Sequence, residues 1–87
     1  MRPVTILRMP AVRQKSGYAS ATSVYNLVRN GTFTRPVQIG PKTVGWPEHE
    51  VDAINAARVG GFGEDQLKDL VTKLHAQRSE LLAAVLA

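Results

Sequence analysis

The chain has 87 residues, 44% of them hydrophobic and 21% charged, and it contains no cysteine. That is the composition of one small folded domain, and it excludes disulfide frameworks, thiolate zinc sites and thiol catalysis. The net charge of +4 is unevenly spread: residues 1–47 carry seven basic side chains (Arg2, Arg8, Arg13, Lys15, Arg29, Arg35, Lys42) and no Asp or Glu, whereas residues 48–87 carry four basic and seven acidic ones.

Ile6-Leu7 is an apolar pair able to start a strand. Met9-Pro10 opens a short helix, since proline is favoured at the start of one, and Gly17 stops it after Ser16. Ser20 is an N-cap for a second helix from Ala21 to Asn30, in which Val24, Leu27 and Val28 share a face at i, i+3, i+4 spacing. Asn30-Gly31 reads as its C-cap. Two short helices parted by a turn containing Gly17 make a helix-turn-helix candidate.

Phe33 to Trp46 reads as a small β-hairpin. Pro36-Val37-Gln38-Ile39 alternates, Gly40-Pro41-Lys42-Thr43 supplies the turn, and Val44-Gly45-Trp46 returns. Pro47 starts a third helix with Glu48 and Glu50 in its first turn and a narrow apolar face of Val51 and Ile54. Gly60-Gly61-Phe62-Gly63 looks like a flexible joint. The last helix, about Glu64 to Leu86, carries Leu67, Val71, Leu74, Leu81 and Val85 in a stripe that Arg78 interrupts. It is amphipathic, and it suits packing on its own domain or on a second copy about equally. The expected architecture is mainly α with a small β-hairpin, a winged helix-turn-helix over 1–59, a glycine-rich joint over 60–63 and a C-terminal amphipathic helix over 64–87.

An acid-free half presents positive potential over most of its surface, for which nucleic acid is the commonest partner. In a winged helix the second helix enters the major groove. Thr22, Asn26 and Arg29 lie opposite the apolar face of that helix, with Ser23 beside them and Ser20 at its start. Arginine pairs bidentately with guanine, asparagine with adenine, and serine or threonine with bases or phosphates. Tyr25 falls at the edge of the apolar face, half buried, with its hydroxyl towards the DNA backbone. Lys42 and Thr43 at the hairpin tip and Arg35 at its base are candidate phosphate contacts. Arg8, Arg13 and Lys15, on or before the first helix, add electrostatic attraction. Trp46 and Phe33 read as core, which leaves too few aromatics for a single-strand stacking platform.

Other signals point nowhere. His49 and His75 have no cysteine partner and no ligand spacing, so no metal is expected. The Gly60–Gly63 stretch lacks the lysine of a phosphate loop. Asn30-Gly31-Thr32 matches a glycosylation pattern that the helix C-cap explains. No catalytic grouping stands out, so neither an enzyme nor a cofactor is expected. The longest apolar run, Leu81 to Ala87, is far short of a membrane span, and the start of the chain has no signal-peptide stretch. Without cysteines the chain suits a reducing compartment, so the expected location is the cytoplasm, with no membrane partner.

The ordered set Ile6-Leu7-Arg8-Met9-Pro10-Ala11-Val12, Lys15-Ser16-Gly17, Ser23-Val24-Tyr25-Asn26-Leu27-Val28-Arg29-Asn30-Gly31-Thr32-Phe33, Arg35-Pro36-Val37-Gln38-Ile39-Gly40 and Val44-Gly45-Trp46-Pro47 with Glu50-Val51 resembles the AlpA family over about residues 5–58. The continuation from Ile54-Asn55-Ala56-Ala57-Arg58 to Leu70-Val71 and Leu74-His75 is similar to a subgroup of it. The resemblance implies a small phage- or prophage-associated regulator, related in architecture to excisionases and MerR-type winged helices, that binds duplex DNA near the bacterial nucleoid. Some members control transcription of mobile elements and others direct excision. This chain departs in a longer turn at Tyr18-Ala19 and in Ala19 and Ala21, where basic or larger polar residues are common, so specificity is placed on Thr22, Ser23, Asn26 and Arg29.

Three functions follow: a sequence-specific transcription regulator, an excisionase-like factor that bends attachment-site DNA, and a protein-interaction adaptor working through the last helix. The partners they call for are double-stranded DNA, a second copy bound through the C-terminal helix, and a recombinase or RNA polymerase.

Overall fold

The computed structural model describes residues 4–86. Arg2 and Ala87, which enter the charge and helix readings above, lie outside the described residues. The elements in order are β1 (Ile6–Leu7), α1 (Met9–Ser16), α2 (Ala21–Arg29), β2 (Val37–Gly40), β3 (Thr43–Pro47), α3 (Glu48–Val59) and α4 (Glu64–Leu86). The architecture is mainly helical with a small antiparallel sheet, as the sequence pattern requires.

The sheet has three strands rather than the two of a bare hairpin. Its order is β1-β3-β2, with Ile6 opposite Pro47 and Leu7 opposite Trp46 on one side, and Val37 opposite Gly45 on the other. A residue at 45 with a side chain would break this arrangement. A Cβ there would stand 2.5 Å from Ile6 Cγ2 and 2.9 Å from the Leu7 carbonyl oxygen. Pro47 closes β3 and also occupies the N-cap of α3, so strand and helix join without a loop.

Both helix ends of the helix-turn-helix are fixed locally. Gly17 ends α1 in the left-handed region at φ 78°, and its N–H donates to the Arg13 carbonyl at 2.8 Å. Ser20 caps α2 by accepting from the Ser23 N–H at 3.2 Å. Beyond Arg29, Gly31 and Thr32 donate to the Val28 and Leu27 carbonyls, the paired bonds that satisfy a helix end through a left-handed residue. The same pair recurs after α3, where Gly61 and Phe62 donate to Arg58 and Ala57. The glycine-rich joint is therefore a hydrogen-bonded turn.

One core joins all four helices and the sheet. Val12, Val24, Phe33, Trp46, Val51, Ile54, Ala57, Leu67, Val71 and Leu74 form a single buried cluster. Trp46 is fully buried, donates from Nε1 to the Thr34 carbonyl at 2.7 Å, and meets Phe33 edge-on at 6.1 Å. The first half of α4 belongs to this core. Its second half leaves it, with Leu82, Val85 and Leu86 exposed. Arg78, which breaks the apolar stripe of α4, turns inward as the partner of Glu50. Glu50, in the first turn of α3, is fully buried.

Candidate nucleic-acid interface

The second helix presents the polar stripe that its spacing predicts. Val24 is fully buried, while Thr22, Asn26 and Arg29 are exposed one turn apart on the opposite side. Arg29 Nη2 donates to Asn26 Oδ1. The two residues best suited to reading base edges thus form one unit. Among the described residues the amide donors of Asn26 and the other guanidinium N–H groups of Arg29 have no protein acceptor.

Ser20 and Ser23 are partly buried at the start of the helix, where their hydroxyls lie 3.0 Å apart and serve the cap. Tyr25 is 39% exposed and leans on Trp46 with ring centroids 6.0 Å apart. It ties α2 to the base of the wing and leaves an outer edge in solvent. The wing's turn exposes Pro41 and Lys42, with Thr43 partly covered. Gln38 Nε2 donates to the Gly40 carbonyl at 3.1 Å and pins this turn from the strand before it. The alternating pattern places Gln38 outward, but a bond across an irregular hairpin has no sequence signal.

The basic side chains divide into two groups. Arg8, Arg35 and Lys42 are exposed and, among the described residues, have no carboxylate partner; Arg29 has none either. Arg13 and Lys15 are occupied inside the fold. Arg13 Nη2 donates to the Ala19 carbonyl at 2.5 Å, which holds the turn between α1 and α2. Lys15 Nζ lies 2.6 Å from Asp52 and 3.2 Å from Glu48, both on α3. The hydrogen bond to Asp52, aided by Glu48, holds its pKa above the ordinary 10.5. Its charge is compensated where it stands. The acids that do this belong to the half of the sequence that the charge count had set apart.

Arg35 is held at its backbone. Its N–H donates to His75 Nε2 at 3.0 Å and its carbonyl accepts from Arg78 Nη2 at 2.7 Å, while its side chain extends into solvent. His75 is pushed below its ordinary 6.5 by burial first, then by the Arg78 and Arg35 cations.

A winged helix-turn-helix with an exposed polar stripe on its second helix and a lysine-tipped hairpin defines the class of protein. The family described as Prophage CP4-57 regulatory protein (AlpA) matches residues 5–58, the span from β1 to the end of α3, and the chain belongs to it. It is similar to the DNA-binding transcriptional activator AlpA of Escherichia coli (strain K12), at 44% identity over 55 residues, covering 56% of this chain and 77% of that protein. It is also similar to the uncharacterized protein ORF88 of Enterobacteria phage P4, at 40% identity over 55 residues, covering 63% of this chain and 61% of the phage protein. No solved structure matches the chain.

Proposed function

We propose that this protein is a sequence-specific duplex DNA-binding regulator of transcription for a phage or other mobile element. The observation that carries the reading is the exposed Thr22, Asn26 and Arg29 stripe on a capped second helix. It lies on the half of the chain that contains no acid. Membership of the AlpA family, and a relative named as a DNA-binding transcriptional activator, support it.

In this reading α2 enters the major groove, with Arg29 and Asn26 reading base edges and Thr22 beside them. Ser20 and Ser23 fix the start of the helix against the backbone. Tyr25 faces the backbone at the seam with the wing. Lys42, Thr43 and Arg35 contact phosphates, while Arg13 and Lys15 support the turn and α1 behind them. Among the described residues no helix is long and apolar enough to cross a membrane, and the site of action is the cytoplasm, on the nucleoid.

The test is a binding titration against DNA from the gene's own upstream region and an equal-length random duplex, at two salt concentrations. A preference of about 10³ or more that persists at the higher salt supports the reading. Equal, steeply salt-dependent binding to both would reduce it to phosphate attraction. Cooperative filling of tandem attachment-site repeats, with no preference for upstream DNA, would replace it with an excision factor.

A further inference from the structure

The entry to the wing is held by a helix that lies outside the family-matched segment. Arg35 stands two residues before β2. A loop residue at a surface commonly leaves its backbone polar groups to water. Here both are taken by α4: the N–H by His75 at 3.0 Å and the carbonyl by Arg78 at 2.7 Å. The two gripping side chains lie about one turn apart on that helix.

Arg78 is itself immobilised. Its Nε and Nη2 donate to the two carboxylate oxygens of Glu50 at 2.8 and 2.7 Å, and Glu50 is fully buried on α3. A bidentate charge pair of this kind fixes the guanidinium plane as well as its position. The chain of contacts therefore runs from the core of α3 through α4 to the peptide groups that open the wing.

We propose that His75 and Arg78 are positioning residues for DNA binding, which hold Arg35 at both backbone groups and so set the angle at which the Lys42-tipped wing meets the duplex. The inference rests on the DNA-binding reading above. It makes the C-terminal helix part of the recognition machinery without touching DNA.

His75 can accept from Arg35 only while Nε2 is unprotonated. The charged groups that face it are Arg78 on its own helix, Arg35 before β2 and Glu50 on α3. Protonation would remove the acceptor and add a third cation beside two guanidiniums, with one carboxylate opposing them. The grip is thus complete above the ordinary histidine pKa and releases as the solution is acidified below it.

The experiment follows the Arg35 amide by hydrogen exchange in the full chain, and duplex affinity by titration, at about pH 7.5 and about pH 5. In the wild-type protein acidification should lower the protection of the Arg35 amide, its exchange being referred to the intrinsic rate at each pH, and weaken binding by roughly three- to tenfold, the fold-change of one ordinary hydrogen bond. His75→Phe should show both effects already at neutral pH. His75→Gln, which keeps an acceptor and does not titrate, should restore both and flatten the pH profile. Should His75→Phe fail to fold, the profile of the wild type against that of His75→Gln carries the test.

Arg35 exchange that is the same in His75→Phe and wild type would overturn the proposal. So would faster exchange with unchanged duplex affinity, which would make the grip structural alone. A wild-type protein that binds no duplex at either pH overturns the proposed function. That failure is recognised by the absence of any binding, whatever the Arg35 amide does.

Discussion

Arg29 and Asn26 meet on the exposed side of α2, and the bond between them makes their contributions inseparable. Arg29→Ala is expected to cost about 1–3 kcal/mol at one base position and to relax specificity there. Asn26→Ala removes its own contact and also the acceptor that orients Arg29, so its loss should spread over two positions. A double-mutant cycle read by duplex titration should therefore be non-additive, by about 0.5–3 kcal/mol. Equal losses on specific and random duplexes for Arg29→Ala would remove the base-reading role. Further in, Glu50 is fully buried with Arg78 as its partner. Removing one member of such a pair leaves a charge stranded, at a cost of about 3–5 kcal/mol. Arg78→Ala should show that loss in chemical denaturation.

Between elements, the same residue type does different work according to its neighbours. Lys42 at the wing tip has no carboxylate partner among the described residues, while Lys15 on α1 sits between Asp52 and Glu48 of α3. Lys42→Ala should weaken all duplexes alike and lower the salt slope by about one. Lys15→Met should leave that slope unchanged in the same titrations and loosen the packing of α1 on α3 instead. Since the folded pKa of Lys15 is raised, its contribution to stability is full below 10.5 and disappears as pH climbs through the folded value.

This contrast marks what the sequence could disclose. Helix ends at Gly17, Ser20 and Gly31, the hairpin turn and the polar stripe of α2 are local features, written in propensity, capping and period. The partners of Lys15, Glu50 and Arg78 are set by tertiary approach. For Lys15–Glu48, Glu50–Arg78 and Arg35–His75 the sequence separation is 33, 28 and 40 residues. No local pattern encodes such pairs. Arg78 was visible only as an interruption in an apolar stripe. Gly45 was visible as part of a hairpin, but not as the point where β1 comes within Cβ contact.

At the scale of the whole molecule the question is whether α4 is an appendage joined through Gly60–Gly63 or part of one cooperative unit. Leu67, Val71 and Leu74 lie in the same buried cluster as Trp46 and Val24, and Arg78 neutralises the buried Glu50. A chain ended after Val59 would uncover that side of α3 and strand Glu50 without a partner. Each large-to-small loss in a core of this kind costs about 2–5 kcal/mol, against a total stability of about 5–15 kcal/mol for a small domain. Loss of three apolar side chains and one ion pair should therefore abolish the cooperative thermal transition. A chain ended after Leu81 removes Leu82, Val85 and Leu86, which are exposed at 59%, 61% and 76%, and keeps every core contact of α4. Its melting temperature should stay within a few degrees of the parent, because surface changes of this kind lie within about 0.5 kcal/mol. Calorimetry of the two truncations decides the matter. A chain ended after Val59 that still melts cooperatively would make α4 a separable attachment and would remove its hold on the wing. A chain ended after Leu81 that melts far below the parent only at high protein concentration would instead mean that the exposed end of the helix is buried against a second copy.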